Sequence, residues 1–378
     1  MKTIINLCIC AILAGVSLTI TQAAEPTKLY VCPACGCPDD NRTFDKPGNC
    51  PSCGMKLIEK GDNPQQRGVS VAVLLFDGAE IIDYAGPWEA FGQAGFKVFT
   101  VAENSQPITA VFGQKVIPDY TFANSPVADV LLVPGGSSGK AAENPALVKW
   151  VQQNAQSSKH VMSVCTGAFI LAKAGLLDGL SATTVSGAID RLGRVAPKTR
   201  VVSDQRYVDN GKIITTAGLS SGIDGALYLI AKIKGKGTAQ ATALGLEYRW
   251  DPDGKYARAA LADRYFPNID NVDAEILATD GDLDHWQAQA LISKPDSAVA
   301  ILDLLGKRIA ENTPHAKSAV VVERAADSSS VHAGTLQWNF IGDDSRRWYG
   351  RALVEPSTEE PQKFVLSLKL NSGSKPKS

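Results

Sequence analysis

The chain has 378 residues, 44% of them hydrophobic and 20% charged, with a formal net charge of -1. That length allows two or three domains with ample core, and the composition is that of globular protein rather than a disordered or fibrous chain. A balanced charge without a basic stripe argues against nucleic acid as a partner.

Residues 1–23 stand apart from the rest of the chain. Lys2 precedes an apolar run from Ile4 to Ile20, which ends in Thr21, Gln22, Ala23 and Ala24. A basic start, an apolar stretch and a small-residue exit suit a secretory signal peptide cleaved after Ala23. An uncleaved membrane anchor is the competing reading, but the run is slightly short for a span. The expectation is a periplasmic or secreted protein that loses Cys8 and Cys10 with its signal and has no membrane association afterwards.

Residues 28–60 carry Cys32, Cys35, Cys37, Cys50 and Cys53 in two facing Cys-Pro-x-Cys-Gly turns. Such knuckles offer four thiolates in a tetrahedral arrangement and read as a metal ribbon, with either Cys35 or Cys37 as the fourth ligand. Disulfides are the alternative in an exported protein, but five cysteines leave one unpaired. The stretch Asp45-Lys46-Pro47-Gly48-Asn49-Cys50-Pro51-Ser52-Cys53-Gly54-Met55-Lys56-Leu57 resembles the second half of the small heavy-metal-binding domain of copper and zinc efflux proteins. The first half departs from that family, with Cys32-Pro33-Ala34-Cys35 in place of a Cys-Pro-Met-His. Four thiolates without methionine or imidazole favour structural zinc, or iron, over a copper carrier site. A ribbon this small has little apolar core, so the metal is expected to supply most of its folding energy.

After a polar linker from Glu59 to Gly68 the pattern changes. Strands are expected over Val69 to Leu75, Lys97 to Ala102 and Val130 to Val133, with helices over Ala79 to Ala94 and Pro145 to Ala155. The apolar run His160-Val161-Met162-Ser163-Val164 stops at Cys165, and a helical pattern begins at once with Thr166, Gly167 and Ala168. This is a strand-turn-helix with cysteine on the turn, the arrangement of a nucleophile elbow. Helix-terminal amides there favour thiolate, so the thiol is expected to titrate below its usual value. A buried structural cysteine is the plain alternative. Val201 to Val208 and Lys212 to Thr215 flank Asp209-Asn210-Gly211 as a hairpin, and helices come next over Gly222 to Lys234 and Thr238 to Arg249. Alternating strands and helices give an α/β fold with a central, mostly parallel sheet whose ligand site lies at the carboxyl strand ends. Gly136 and Thr166 fall at that edge, where their amides could form an oxyanion hole.

Several ordered motifs now carry a larger resemblance: Phe76-Asp77-Gly78-Ala79-Glu80-Ile81-Ile82-Asp83-Tyr84-Ala85-Gly86-Pro87, Val133-Pro134-Gly135-Gly136, Ser163-Val164-Cys165-Thr166-Gly167-Ala168 and Gly222-Ile223-Asp224-Gly225-Ala226-Leu227. Residues 69–250 are similar to the ThiJ/PfpI family, above all to its isonitrile-hydratase branch and to the ligand domains of certain AraC-type regulators. The resemblance implies a flavodoxin-like sandwich of the class I glutamine amidotransferase superfamily, a homodimer, and Cys165 as nucleophile with Asp83 as acidic partner and Thr166 beside it. Two departures weaken peptidase and glyoxalase readings, since both need an imidazole to move protons. Val185 and Ser186 come after Ala182-Thr183-Thr184 where many relatives have histidine, and the elbow reads Cys-Thr-Gly rather than Cys-His-Gly. Of the four histidines, His160 lies about 16 Å along the strand from Cys165, and His285, His315 and His332 fall outside the resemblance.

Glu80 shares a helix face with Asp83, and Asp224 reads as a cap or structural anion. Residues 251–294 are expected to be a helical extension, and residues 295–372 a small α+β domain of unknown role, with a helix over Ser297 to Ala310. Together these features point to a cysteine-dependent hydratase or hydrolase acting on a small electrophilic molecule, without a catalytic cofactor. The alternative is a non-catalytic envelope module that senses metal or oxidant.

Overall fold

The computed structural model describes residues 28–32, 37–39, 42–59, 68–254, 256–267, 273–294, 297–325 and 335–373. The expected signal peptide, Cys35 and His332 lie outside these residues. The chain divides into two compact units, residues 1–68 and 69–378.

In the first unit Tyr30–Val31 is the middle strand of an antiparallel sheet, flanked by Thr43–Phe44 and Ile58–Glu59. Its buried core consists of Cys32, Cys50 and Leu57, with Tyr30, Cys37 and Phe44 partly buried against them. Among the described residues Val31 is also buried, and a sheet of such short strands has little apolar surface to offset the ordering of the chain.

The second unit begins with Ser70–Leu74, five residues that are all buried. A strand covered on both faces needs no alternation, which explains the unbroken apolar run Val71 to Leu74. It lies near the middle of a seven-stranded sheet in the order Tyr207–Asp209, Ile213–Thr216, His160–Val164, Val130–Val133, Ser70–Leu74, Lys97–Ala102 and Tyr120–Thr121. Every neighbouring pair is parallel except the hairpin of Tyr207–Asp209 with Ile213–Thr216. The chain leaves Ser70–Leu74 toward Lys97–Ala102, then crosses back to Val130–Val133 on the other side. That reversal opens a crevice at the carboxyl ends. Helices Ile81–Gln93 and Ser221–Lys234 pack on each other, and Asn144 caps Pro145–Ser157 by accepting from the Ala146 and Leu147 amides. This is the expected flavodoxin-like sandwich.

The segment 251–294 differs from its expected helical character. Arg258–Ala260 and Ala262–Tyr265 are short 3-10 turns, and Asp273–Gly281 pairs with His285–Lys294 as an antiparallel hairpin. The physical reason lies in Trp286, Ala288 and Ala290, which alternate with His285, Gln287 and Gln289 at the strand period. The hairpin joins a six-stranded antiparallel sheet completed by Phe364–Ser372, Arg347–Pro356, Thr335–Ile341 and Val321–Ala325. Helix Ala298–Asn312 covers one face of this sheet, burying Leu302, Leu305 and Ile309 against Trp338, Phe340 and Trp348. Tyr265 from the preceding turn is buried in the same core. No described helix is long and apolar enough to cross a membrane.

Candidate functional site

The strand His160–Val164 runs into Cys165, and the helix Gly167–Lys173 starts two residues later. Cys165 has φ 56°, a left-handed conformation that is costly for a residue with a side chain and that collects at functional turns. Thr184, fully buried, donates from Oγ1 to the Cys165 carbonyl at 2.7 Å, and the Cys165 amide donates to the Ala217 carbonyl at 3.0 Å. Both backbone groups of the strained residue are thus held from outside the elbow. Glycine at 167 is required by packing, since a Cβ there would stand 2.2 Å from the Val133 carbonyl oxygen.

Asp83 enters from the first turn of helix Ile81–Gln93 and has no exposed surface. Its Oδ2 accepts from the Gly135 amide at 3.0 Å and its Oδ1 from the Leu219 amide at 3.2 Å, and the carboxyl and the Cys165 thiol each shift the other's titration. A Cβ at Gly135 would lie 2.8 Å from Asp83 Oδ2 and 2.7 Å from the Thr166 nitrogen, so only glycine lets the turn close on the pair. Burial, aided by the charge of Glu80 and opposed by the two amides, lifts the Asp83 carboxyl to about 7. The thiol is lifted as well, to about 12, first by burial and then by the Asp83 charge. The Thr166 amide pulls the other way and is outweighed. The depressed thiol expected from the elbow motif is therefore reversed: a helix of seven residues supplies little field, while desolvation in a site only 7% exposed acts in full. Near neutral pH the pair is best described as sharing its proton, with sulfur as the holder once the carboxyl ionises.

Thr166 Oγ1 both accepts from the Gly136 amide at 3.1 Å and donates to the Gly136 carbonyl at 3.2 Å. The Gly136 amide is thereby engaged, whereas the Thr166 amide faces the sulfur. Glu80 donates its amide to the Gly135 carbonyl at 3.0 Å and begins the helix that bears Asp83. Asp224 is a paired structural anion: Arg206 reaches it through Nε at 2.7 Å and through Nη2, and Tyr248 through its hydroxyl at 3.0 Å.

Among the described residues no imidazole stands at the elbow. His160 opens the nucleophile strand at its opposite end, while His285 and His315 pair with Asp282 and Asp343. Residue order holds no signal for Leu219, whose contact with Asp83 joins distant segments. Thr184 is legible only as part of a Thr-Thr pair.

In the ribbon, Cys32, Cys37, Cys50 and Cys53 place their sulfurs within 4.8 Å of one another. The Cys32 to Cys53 distance is 3.4 Å, and those from Cys37 to Cys32 and Cys50 are both 3.8 Å. Disulfide sulfurs lie about 2.05 Å apart, whereas thiolates around one tetrahedral metal at about 2.3 Å are separated by about 3.8 Å. Among the described residues the donor set Cys32, Cys37, Cys50 and Cys53 fits a metal. Asp39 braces the site by accepting from the Ser52 hydroxyl at 2.6 Å.

Comparison with known proteins agrees with both regions. Residues 29–60 match the heavy metal binding domain, and residues 69–232 the DJ-1/PfpI family. An isonitrile hydratase of Pseudomonas putida is 35% identical over 185 residues, covering 48% of this chain and 78% of that protein. The HTH-type transcriptional regulator GbdR of Pseudomonas aeruginosa is 28% identical over 194 residues, but only 52% of its length is covered. A ThiJ/PfpI family crystal structure from Pseudomonas syringae aligns with a TM-score of 0.46 at 30% identity, covering 50% of this chain and 78% of that one. With an elbow cysteine and a buried aspartate at the carboxyl edge of a parallel sheet, and with a relative 35% identical over 78% of its length, the chain belongs to the DJ-1/PfpI family.

Proposed function

We propose that the protein is an exported cysteine-dependent hydratase that converts isonitriles to N-substituted formamides. The observation that carries this reading is the buried elbow thiol of Cys165 electrostatically coupled to the buried Asp83 carboxyl, which is raised to about 7. Such a pair can move one proton without an imidazole. As the sulfur bonds to the terminal isonitrile carbon, Asp83 takes the thiol proton and returns it to that carbon, giving a thioimidate. Water then adds across the carbon-nitrogen double bond, its hydroxyl to carbon and its proton to nitrogen. Breaking the carbon-sulfur bond releases the formamide and returns a proton to sulfur. The Thr166 amide, aimed at the sulfur, steadies its charge in both steps. The similarity to an isonitrile hydratase supports the substrate class.

Formation of formamide from a panel of isonitriles tests the reading. The wild-type protein is expected to turn over and Cys165→Ala to be inactive yet folded; an inactive wild type, or an active Cys165→Ala, sinks it. The alternative of an envelope sensor draws support from the thiol ribbon, but a buried thiol held at about 12 is a poor trap for oxidants. The regulators' DNA-binding role finds no counterpart in the described carboxyl-terminal residues, which form an antiparallel sheet with one helix.

Export, one structural zinc per ribbon and a homodimer belong to the same proposal. Native mass spectrometry of protein from the secretory route is expected to give a mature start near Ala24, one metal per chain and a dimeric mass. A chelator should remove the metal and make residues 28–60 protease-sensitive while residues 69–250 stay resistant. A metal-free, protease-resistant ribbon, a retained Met1 or a monomer at micromolar concentration would each remove the corresponding part.

A further inference from the structure

A second cleft opens where the α/β sandwich meets the residues that follow it, and neither Cys165 nor Asp83 lines it. The Ser186–Ala188 turn packs on the Arg258–Ala260 turn, and beside them is a cavity of about 490 Å³. Ser186, Asp190 and Ser203 line it from the sandwich, and Arg258, Arg264 and His315 line it from the other side. The side chains of that second wall are held in place. Asp343 accepts from Arg264 Nη2 and, at 2.7 Å, from the Tyr265 hydroxyl, and its Oδ2 lies 3.4 Å from His315 Nδ1. Arg264 donates through Nη1 to the Ala259 carbonyl at 3.1 Å, and Arg258 is paired with Asp263. His315 sits at φ 57°, a left-handed conformation that is costly for a residue with a side chain and persists only where the surroundings impose it. The Asp343 amide helps to impose it by donating to the His315 carbonyl at 2.9 Å.

We infer that this cleft binds a neutral, polyhydroxylated molecule of disaccharide size. The charges of its walls decide against an ion. Two guanidiniums face the carboxylates of Asp190, Asp263 and Asp343, and each guanidinium is already paired with one of them, so an anion meets no unopposed positive charge. A cation finds Asp190 alone, because the other two carboxylates are engaged by arginine. Among the described residues the ligand atoms that gather as a metal site does are the ribbon sulfurs, not these carboxylates with His315. The groups left to a ligand match hydroxyls. The Asp190 carboxylate and the Ser186 and Ser203 hydroxyls have no partner among the described residues. With Nδ1 turned to Asp343, the neutral His315 ring leaves Nε2 as an acceptor. Arg258 keeps donors beyond those that reach Asp263. Acceptors, donors and amphoteric hydroxyls on facing walls suit a molecule whose hydroxyls each donate and accept. The volume falls in the range of small-molecule sites.

The experiment is isothermal titration of the full chain with maltose and with sucrose, and with citrate and spermidine as charged controls. It needs no turnover, so its outcome is separate from that of the hydratase reading. At least one disaccharide is expected to give saturable heat and to bind more tightly than either charged compound. Asp190→Ala and His315→Asn each remove one group, from opposite walls of the cleft. Asp190 is exposed, so its replacement leaves the fold intact, and asparagine is at ease in the left-handed backbone that His315 occupies. Each variant is expected to weaken the disaccharide about tenfold, the scale of one hydrogen bond to a charged or oriented group. Thermal unfolding of the free variants at the wild-type temperature checks that the loss belongs to the site. The absence of saturable heat from both disaccharides at millimolar concentration overturns the inference. An affinity unchanged in either variant removes this cleft as the place of binding, and tighter binding of citrate or spermidine removes the neutral ligand.

Discussion

Asp83→Ala is expected to slow isonitrile turnover by about 10²–10⁴-fold, the usual worth of a positioned acid-base group, while making Cys165 easier to alkylate. The two effects have opposite signs because Asp83 acts on the sulfur in two ways. As a proton carrier it accepts from the thiol during attack and supplies the proton that the isonitrile carbon needs. As a buried charge it is the second cause, after burial itself, of the thiol standing at about 12. Removing the carboxyl removes that charge and opens space beside the sulfur, so the titration of the thiol moves down and the alkylation rate near neutral pH rises. The measurement is alkylation rate against pH for wild type and variant, set beside their turnover numbers. Glu80→Gln serves as a control that lowers negative charge while leaving the Asp83 carboxyl in place, and should cost less turnover. A variant in which turnover and alkylation fall together would show that Asp83 only supports the loop. Unchanged turnover would remove it from the reaction.

The second large effect is on stability. The Asp83 carboxyl is raised from 3.8 to about 7 in the folded protein, so the native state holds this proton more tightly than the unfolded chain does. Its contribution is therefore fully present below pH 3.8 and is lost as pH rises through about 7. A shift of about three units at 1.36 kcal/mol each corresponds to about 4 kcal/mol across that window. That is a large share of the stability of an ordinary domain. Asp83→Asn removes the titration but also replaces an acceptor that faces the Gly135 or Leu219 amide with a donor. The offset between the two proteins then reports lost hydrogen bonds, and only the slope reports the proton. Denaturant unfolding of the α/β transition between pH 4 and 8 should show the difference in stability, wild type minus variant, shrinking as pH rises, with most of the change complete by pH 8. A difference that stays flat would place the Asp83 carboxyl in the ordinary range and withdraw its role as proton holder.

The site is thus held at a cost in stability, which is common where a group must keep an unfavourable protonation state for its chemistry. Cys165 and Leu219 add backbone strain at the same place, each at φ 56°. The strain is retained by contacts from elsewhere: Thr184 on the Cys165 carbonyl, Ala217 on its amide, and Asp83 on the Leu219 amide.

What the sequence determined by itself was local or periodic. The elbow is contiguous from Ser163 to Ala168, the central strands of the parallel sheet are mostly apolar without alternation because both their faces are covered, and the ribbon cysteines lie at knuckle spacing. Such features need only neighbours along the chain. The tertiary structure decided whatever depends on surroundings. Among the described residues it gathered the sulfurs of Cys32, Cys37, Cys50 and Cys53 within 4.8 Å of one another, which depends on how segments distant in the chain fold together. It turned 273–294 into a hairpin, because a strand with one half-exposed face becomes stable only when Phe364–Ser372 pairs with it. It brought Thr184 and Leu219 to the reacting pair from segments far along the chain. It also set the sign of the Cys165 shift. A helix end can be read from residue order, but the loss of water around the sulfur and the charge of Asp83 exist only once the sheet, the Gly135 turn and the Leu219 turn have closed around them.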